Sequence, residues 1–314
     1  MSKIVGAGSL IVDITAYAKH FPVEGESALG SSVKIGPGGK GSNQMTAAFK
    51  AGADVRIIGK VGDDFLSHVL LDHYKSTGMS TKYIDIVKGE ETAAALIEVN
   101  EETAQNRIIV VKAVNELVKR EDVLKAEADF ADCDAVLTQL ETSMESILCC
   151  KEFAKKYGKP FILNTAPFQK IPNELILDTD YVTPNETEAE FFTGVHIKTQ
   201  EDAEKAAEKF IEMGAKNVVI TLGSKGAFYS NGKEKIMVPS IKVQAVDTTG
   251  AGDAFNGGFA TAIASGADIK TALRFANCTA ALSVTKKGTS PAMPYKDEIC
   301  AFYEKTYAEK LKFN

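Results

Sequence analysis

Short apolar runs rich in β-branched residues recur along the chain with helical spacing between them, and this alternation limits the possible folds more than any other feature. The runs are VRIIGKV (55–61), DAVLTQL (134–140), PFILNTA (160–166), DYVTP (180–184) and NVVITLG (217–223). Each reads as a buried parallel strand. Helical patterns such as FLSHVLLDHYKSTG, SMESILCCKEFAKKYG and EDAEKAAEKFIEMG separate them, several ending in the glycine that a C-cap favours. Strand followed by helix, repeated, predicts an α/β fold in which helices cover both faces of a mainly parallel sheet. The last third is mostly helical, over 250–266, 268–286 and 296–311.

Two stretches break this rhythm. Residues 10–36 and 85–112 carry alternating or β-branched patterns, such as TAAALIEVN and RIIVVKAV, with no helix between them. We read them as antiparallel strands forming a small β lid, inserted into a single domain that spans residues 1–314. A chain of 314 residues, 45% of them hydrophobic, can bury a full core. Its 36 Lys+Arg against 42 Asp+Glu give a net charge of −6 with no basic run, which argues against nucleic acid or an anionic membrane as the main partner. No 18 uncharged apolar residues run together, so no membrane span is expected. The apolar start is interrupted by Asp13 and lacks a basic leader, so it reads as a first strand. Five irregularly spaced cysteines predict free thiols in a reducing cytoplasm.

The chemistry concentrates in VDTTGAGDAF (246–255). A strand-like IKVQAV ends at Asp247, glycines make a turn, and a helix opens at Ala251. Backbone N–H groups at a helix start lack helical partners and carry the positive end of the dipole, so they form an anion hole. Asp253 falls in that first turn, where a carboxylate can take a proton from a hydroxyl while the amides hold a phosphoryl group. A second feature is the glycine loop of IGPGGKGSNQMTAAFKAGADVRIIGKVGDD (35–64), which precedes a helix and places Asn43 near its start. It is neither a Walker A loop nor a dinucleotide fingerprint, because the required spacings are missing. A structural turn fits it as well as a binding site does. In TPNETEAEFF (183–192), Asn185 and Glu188 share one helical face at the carboxyl edge of the sheet. They suit a water-mediated magnesium site or a plain capping box. ITLGSKGAFY (220–229) reads as a phosphate-contacting turn or a simple β-hairpin. The four histidines lack metal-ligand spacing.

The stretches 36–64 and DTTGAGDAFNGGF (247–259) resemble the two signature regions of the ribokinase family of carbohydrate kinases. QLET, LNTAP, PNETEAE, VVITLGSKG, VPSIKVQAVDTTGAGD and RFANCTAALSVTKKG follow in that family's order, so the likeness covers nearly the whole chain. It implies a three-layer αβα sandwich with a β lid, and an ATP-dependent transfer of the γ-phosphoryl group to the primary hydroxyl of a pentose, foremost ribose. By the same resemblance Asp253 is the general base, and the amides of Gly250, Ala251 and Gly252 stabilise the phosphoryl group. Asp13, Gly38, Gly39, Asn43 and Glu141 match sugar-binding positions. Asn185, Thr221, Gly223, Ser224, Gly226 and Asn277 match the ATP side, and Glu188 matches the acid that organises Mg2+. Asp247 and Thr249, with backbone oxygens near Ser283, Lys286 and Gly288, match a monovalent-cation site for K+. A homodimer joined through the lid is implied as well.

The sequence departs from the family pattern at three places. In Gly8-Ser9-Leu10-Ile11-Val12-Asp13, Ile11 stands where an asparagine would meet a sugar hydroxyl. Lys112-Ala113-Val114-Asn115 replaces the usual P-G-A-N after the lid, and Ala292 replaces a serine of the last cation-site loop. The first two put the sugar preference in question, and the third implies weaker potassium dependence. The alternatives are a kinase for another small sugar or nucleoside, such as a ketohexose or deoxyribose, and a non-catalytic sugar sensor.

Overall fold

The computed structural model describes residues 1–103, 105–311 and 313. The first half of the chain contains β1 (Lys3–Ala7), β2 (Ile11–Ala18), β3 (Gly30–Gly38), α1 (Lys40–Lys50), β4 (Asp54–Gly62), α2 (Phe65–Thr77), β5 (Tyr83–Val87), β6 (Ala93–Asn100), β7 (Asn106–Val111), α3 (Arg120–Leu124), α4 (Glu127–Asp132), β8 (Ala135–Thr138) and α5 (Met144–Tyr157). The second half contains β9 (Phe161–Leu163), α6 (Asn173–Ile176), β10 (Tyr181–Val182), α7 (Glu186–Thr193), α8 (Gln200–Glu212), β11 (Val218–Thr221), β12 (Ala227–Ser230), β13 (Lys235–Val238), α9 (Ala251–Ala264), α10 (Ile269–Ser283) and α11 (Lys296–Tyr307).

Nine strands form one sheet in the order β13-β12-β11-β10-β9-β8-β1-β4-β5, parallel except where β12 turns back on β11 and β13 on β12. Alternation along each strand feeds two apolar layers. On β1, Ile4 belongs to the layer that holds Met45 of α1 and Phe259 of α9, whereas Val5 belongs to the layer that holds Ile147 and Phe153 of α5 on the other face. Both faces are thus covered by helices, the three-layer α/β arrangement that the strand–helix alternation requires.

A separate four-stranded sheet, ordered β3-β2-β6-β7, forms the lid. Its outer pairs are antiparallel, but the central β2–β6 pair is parallel. A parallel pair needs a crossover, and here β3 and then α1, β4, α2 and β5 of the main body lie between the two strands. The register lines up Ile35, Ile14, Leu96 and Ile109 in one row, with Gly36, Asp13, Ala95 and Val110 in the adjacent row on the opposite face. Residues 85–87, placed with the second insertion from the sequence, instead complete β5 and pair with β4 in the main sheet. IKVQAV (241–246) forms no strand: despite its alternation it finds no ladder, and the Val246 N–H simply donates to the Val284 carbonyl at 2.8 Å. The carboxyl ends of β1, β8, β9, β10 and β11 bring Ser9, Glu141, Asn164, Asn185 and the 222–226 turn to one edge, where open α/β sheets bind ligands.

Candidate active site

The entry to α9 is shaped by its backbone. The Ala251 N–H donates to the Thr248 carbonyl at 3.2 Å, and Gly250 takes φ +77°, a left-handed conformation that favours glycine. The following amides face outward, and a Cβ added to Gly252 would meet no described atom within 4 Å. They open onto a cavity of about 200 Å³, lined also by Lys40, Asn164, Asn185, Glu188, Thr221, Asp253 and Asn256. The structure therefore gathers Gly250, Ala251, Gly252 and Asp253 with Asn185, Glu188 and Thr221 around one space.

Asp253 is buried, and both of its oxygens are held from α1. Asn43 Nδ2 donates to Oδ2 and Gln44 Nε2 to Oδ1, each at 3.0 Å. Gln44 is itself fixed: its second N–H donates to Asn164 Oδ1 at 2.9 Å, and its oxygen accepts from Gln139 at 2.9 Å. Asn164 donates to the Thr183 carbonyl at 2.7 Å, the Thr183 hydroxyl donates to Asn256, and Asn256 donates to the Gly252 carbonyl at 2.9 Å. A ring of side-chain amides and hydroxyls thus ties the helix start to the sheet and orients the carboxylate.

Charge explains the electrostatics of the cavity. Burial pushes the Asp253 carboxyl above its ordinary range and Glu141 adds to this, while Lys40 and the two amide donors oppose it. Burial alone would lower the Lys40 ammonium, but the fields of Asp253, Glu141, Glu188 and Asp13 outweigh it and hold it raised. Asp13, on β2, is pushed up to about 7, first by burial and then by Asp253, against the Thr289 hydroxyl. Glu188 is raised by burial, opposed by the Asn185 N–H and Lys40. Opposite charge in a low-dielectric pocket acts strongly, so Lys40 is the counter-ion around which these acids are arranged.

The other expected sugar contacts surround the same carboxylate. Glu141 accepts from the Ser9 hydroxyl at 2.5 Å and from the Lys40 N–H at 2.9 Å. A Cβ on Gly38 would lie 2.2 Å from Asp13 Oδ1, so that glycine makes room for the acid. Gly39 is the N-cap of α1, in a positive-φ conformation. Asn185 and Glu188 form a complete capping box on α7, the Glu188 N–H donating to Asn185 Oδ1 at 2.8 Å and the Asn185 N–H to Glu188 Oε2 at 3.0 Å. Capping and cavity lining coexist there. Gly223, Ser224 and Gly226 lie in the turn of the β11–β12 hairpin, outside the cavity lining. Asn277 is buried beneath the end of β13 and donates to the Val238 and Pro239 carbonyls at 3.3 and 3.2 Å.

The suspected cation loop is a clasp. Asp247 accepts from the Thr249 N–H at 3.0 Å and the Gly288 N–H at 2.9 Å, and the Lys286 N–H donates to the Ser283 carbonyl at 3.3 Å. Among the described residues no group of three or more His, Cys, Asp and Glu side chains is placed to hold a metal, and no helix is long and apolar enough to cross a membrane.

Lys40, Gln44, Asn164, Asn256, Thr289 and Ser290 were not assigned roles from the sequence. The signal available for Gln44 was the polar run SNQ on a helix that is buried nearly all round, since buried amides must find partners. For Thr289 and Ser290 no local signal exists.

Known proteins resemble the chain over most of its length. The profile of the pfkB family carbohydrate kinases matches residues 1–296. The chain is 38% identical over 297 residues to a ribokinase of Haemophilus influenzae, covering 95% of this chain and 97% of that protein. It is 36% identical over 288 residues to a deoxyribokinase of Salmonella typhi, covering 91% and 94%. The solved structure of Arabidopsis thaliana ribokinase complexed with ribose and ATP matches with a TM-score of 0.89 at 31% identity, covering 97% of this chain and 99% of that one. A family profile that runs through nearly the entire sequence decides the matter: the chain belongs to the pfkB family of carbohydrate kinases, which transfer a phosphoryl group to an alcohol.

Proposed function

We propose that this protein is an ATP-dependent kinase that phosphorylates the primary hydroxyl of ribose. The observation that carries the reading is the buried Asp253 carboxylate, raised and oriented, beside the open amides of α9 in the cavity shared with Lys40. The sugar oxygen attacks the γ-phosphorus, its proton passes to Asp253, and the bond to the leaving ADP oxygen breaks. The Gly250 and Gly252 amides face the migrating oxygens, Ala251 lines the same space with its N–H held by the Thr248 carbonyl, and Lys40 offsets the phosphoryl charge. Asp13, Asn43 and Glu141 hold the sugar hydroxyls, while Asn185 and Thr221 border the nucleotide side. For the nucleotide, Gly223, Ser224, Gly226 and Asn277 shape the wall beyond the cavity.

One acid and one amide at the cavity wall suit a magnesium ion that arrives with nucleotide phosphates and keeps its waters, because such an ion needs only one or two carboxylates. When bound, that ion would neutralise phosphate charge, and Glu188 and Asn185 would hold its water shell. The clasp of Asp247, Thr249, Ser283, Lys286 and Gly288 would hold potassium only loosely, because N–H donors already engage Asp247 and the Ser283 carbonyl and Ala292 offers no hydroxyl, so a shallow potassium dependence is expected. Ile35, Leu96 and Ile109 stand exposed in one row on the lid face opposite Asp13, which supports a homodimer joined through the lid. Five free thiols support a cytoplasmic setting.

A coupled assay of ADP release over ribose, 2-deoxyribose, ketohexoses and nucleosides, with and without potassium, tests the assignment. Ribose should give the highest kcat/KM; parity with the other sugars would defeat it. A 2-deoxy sugar is the second reading, favoured by Ile11, which packs with Ala93 and Ala95 where a polar contact was expected. Ile11→Asn should shift the ratio towards ribose by about tenfold, the worth of one hydroxyl contact.

The pH dependence follows from Asp13. Its carboxyl is pushed up to about 7 in the folded protein, well above the ordinary 3.8 of an aspartate, so between those values the folded state holds a proton that the unfolded chain has released. Its contribution to stability therefore falls as pH rises through that window. Sugar binding needs the ionised acceptor, so kcat/KM should climb through about pH 7, and Asp13→Asn should remove that step and leave only the rise set by the base Asp253.

A further inference from the structure

Lys50 ends α1 with its side chain buried, only 7% exposed. Its ammonium donates to the Ser290 carbonyl at 3.1 Å and the Pro291 carbonyl at 3.2 Å, and stands 5.1 Å from the centre of the Tyr295 ring. Burial holds that ammonium below its ordinary range; Lys286 adds to this and Glu298 opposes it. His73 of α2 faces it as well, held low by burial and by Lys50. A cation kept out of water must be compensated, here by two carbonyls of one short segment.

That segment reaches the reacting groups from outside the cavity. The Ser290 hydroxyl donates to Asn43 Oδ1 at 2.8 Å, which leaves the Asn43 N–H aimed at Asp253 Oδ2, 3.0 Å away. The Thr289 hydroxyl donates to the Pro37 carbonyl at 2.9 Å and lies 3.5 Å from Asp13 Oδ2. Met293 packs between Ala47 of α1 and Ala254 of α9. Within the segment itself the backbone closes only a tight turn, Ala292 N–H to Thr289 carbonyl at 3.0 Å and Met293 N–H to Ser290 carbonyl at 3.4 Å.

We propose that Lys50 is a positioning residue for phosphoryl transfer: by clamping the Ser290 and Pro291 carbonyls it seats the 289–293 segment, so that Ser290 orients Asn43 against Asp253 and Thr289 stays beside Asp13. The proposal rests on Asp253 as the base that the function requires. Lys50 touches neither reacting atom, and its influence passes through one hydroxyl and one amide.

The test follows the Asp253 carboxyl in the ligand-free protein by 13C NMR of labelled aspartate, the resonance being assigned by its loss in Asp253→Asn. Besides Asn43, that carboxyl faces Lys40 and Gln44 of α1, Glu141 beyond β8, Asp13 of β2 and Glu188 of α7, all retained in the variants. Lys50→Met and Ser290→Ala should each raise its titration midpoint by about one pH unit, the worth of a charge-assisted hydrogen bond. The double variant should shift it no further than either single change, because both cut one chain of contacts. Lys50→Arg should restore the midpoint, and kcat/KM should fall roughly 10²-fold in Lys50→Met, as for a reacting group misplaced by about 1 Å. A Lys50→Met protein that melts earlier but keeps the wild-type midpoint, or shifts that simply add, would overturn the proposal. If Lys50→Met does not fold, Lys50→Gln is judged by the same two outcomes. Because the NMR readout needs no turnover, a chain that phosphorylated no sugar would end the functional reading and leave this result standing on its own.

Discussion

Asp253→Asn should lower turnover by about 10²–10⁴-fold, the range that a positioned general base supplies, while ATP binding stays close to wild type. The asparagine has nearly the same shape but cannot accept the hydroxyl proton. The neighbouring acids are already engaged: Glu141 by Ser9 and the Lys40 N–H, Glu188 by the backbone and side-chain N–H groups of Asn185, and Asp13, on the lid strand, by Thr289. Nor should unfolding explain the loss. A buried carboxyl held above its ordinary range makes the folded state less stable as pH rises through that interval, so removing it should leave melting at neutral pH no lower than in wild type, apart from one mismatched donor from Asn43 or Gln44. The difference should close on acidification. ADP-release assays, calorimetric ATP titration and thermal melts across pH check the three parts. Turnover within about tenfold of wild type would be incompatible with a general-base role.

The second large effect is expected at Gly38. An added Cβ there lies 2.2 Å from Asp13 Oδ1 and 2.3 Å from its Cγ, so the Gly38→Ala side chain must drive the carboxylate from its place. Displacement of a positioning group by about 1 Å typically costs about 10²-fold in kcat/KM. That loss should appear in the sugar parameters, with the KM for ATP unchanged, because the nucleotide-side residues lie on other elements. Gly36 provides the control: it sits directly across from Asp13 in the strand register, yet a Cβ there meets no described atom within 4 Å. Steady-state kinetics of the two alanine variants distinguish a specific clash from general damage to β3. Equal losses in both, or a raised KM for ATP in Gly38→Ala, would count against the sugar-side placement of Asp13.

What the sequence made legible was local in origin. Strand and helix periods, glycine C-caps such as Gly78 and Gly158, and the turn before α9 are written in neighbouring residues, and they appear where expected. Glu188 was legible twice over, as cap partner and as cavity acid. By contrast, Gln44 meets Asp253 across 209 residues of sequence and Ser290 meets Asn43 across 247, and no periodicity encodes such meetings. Lys40 carries no local signal of its role, because the four carboxylates around it come from distant parts of the chain. IKVQAV failed for the opposite reason: alternation specifies a strand only when a partner edge is available.

The parallel β2–β6 pairing has a mechanical consequence. Because β2 and β6 are hydrogen-bonded at the centre of the small sheet, neither strand could swing alone, and any movement of that sheet would carry Asp13 as part of one plate relative to Asp253 on α9. Like charges resist being brought together, so an empty cleft would tend to spring ajar, and a polyol whose hydroxyls donate to both acids would act as the latch.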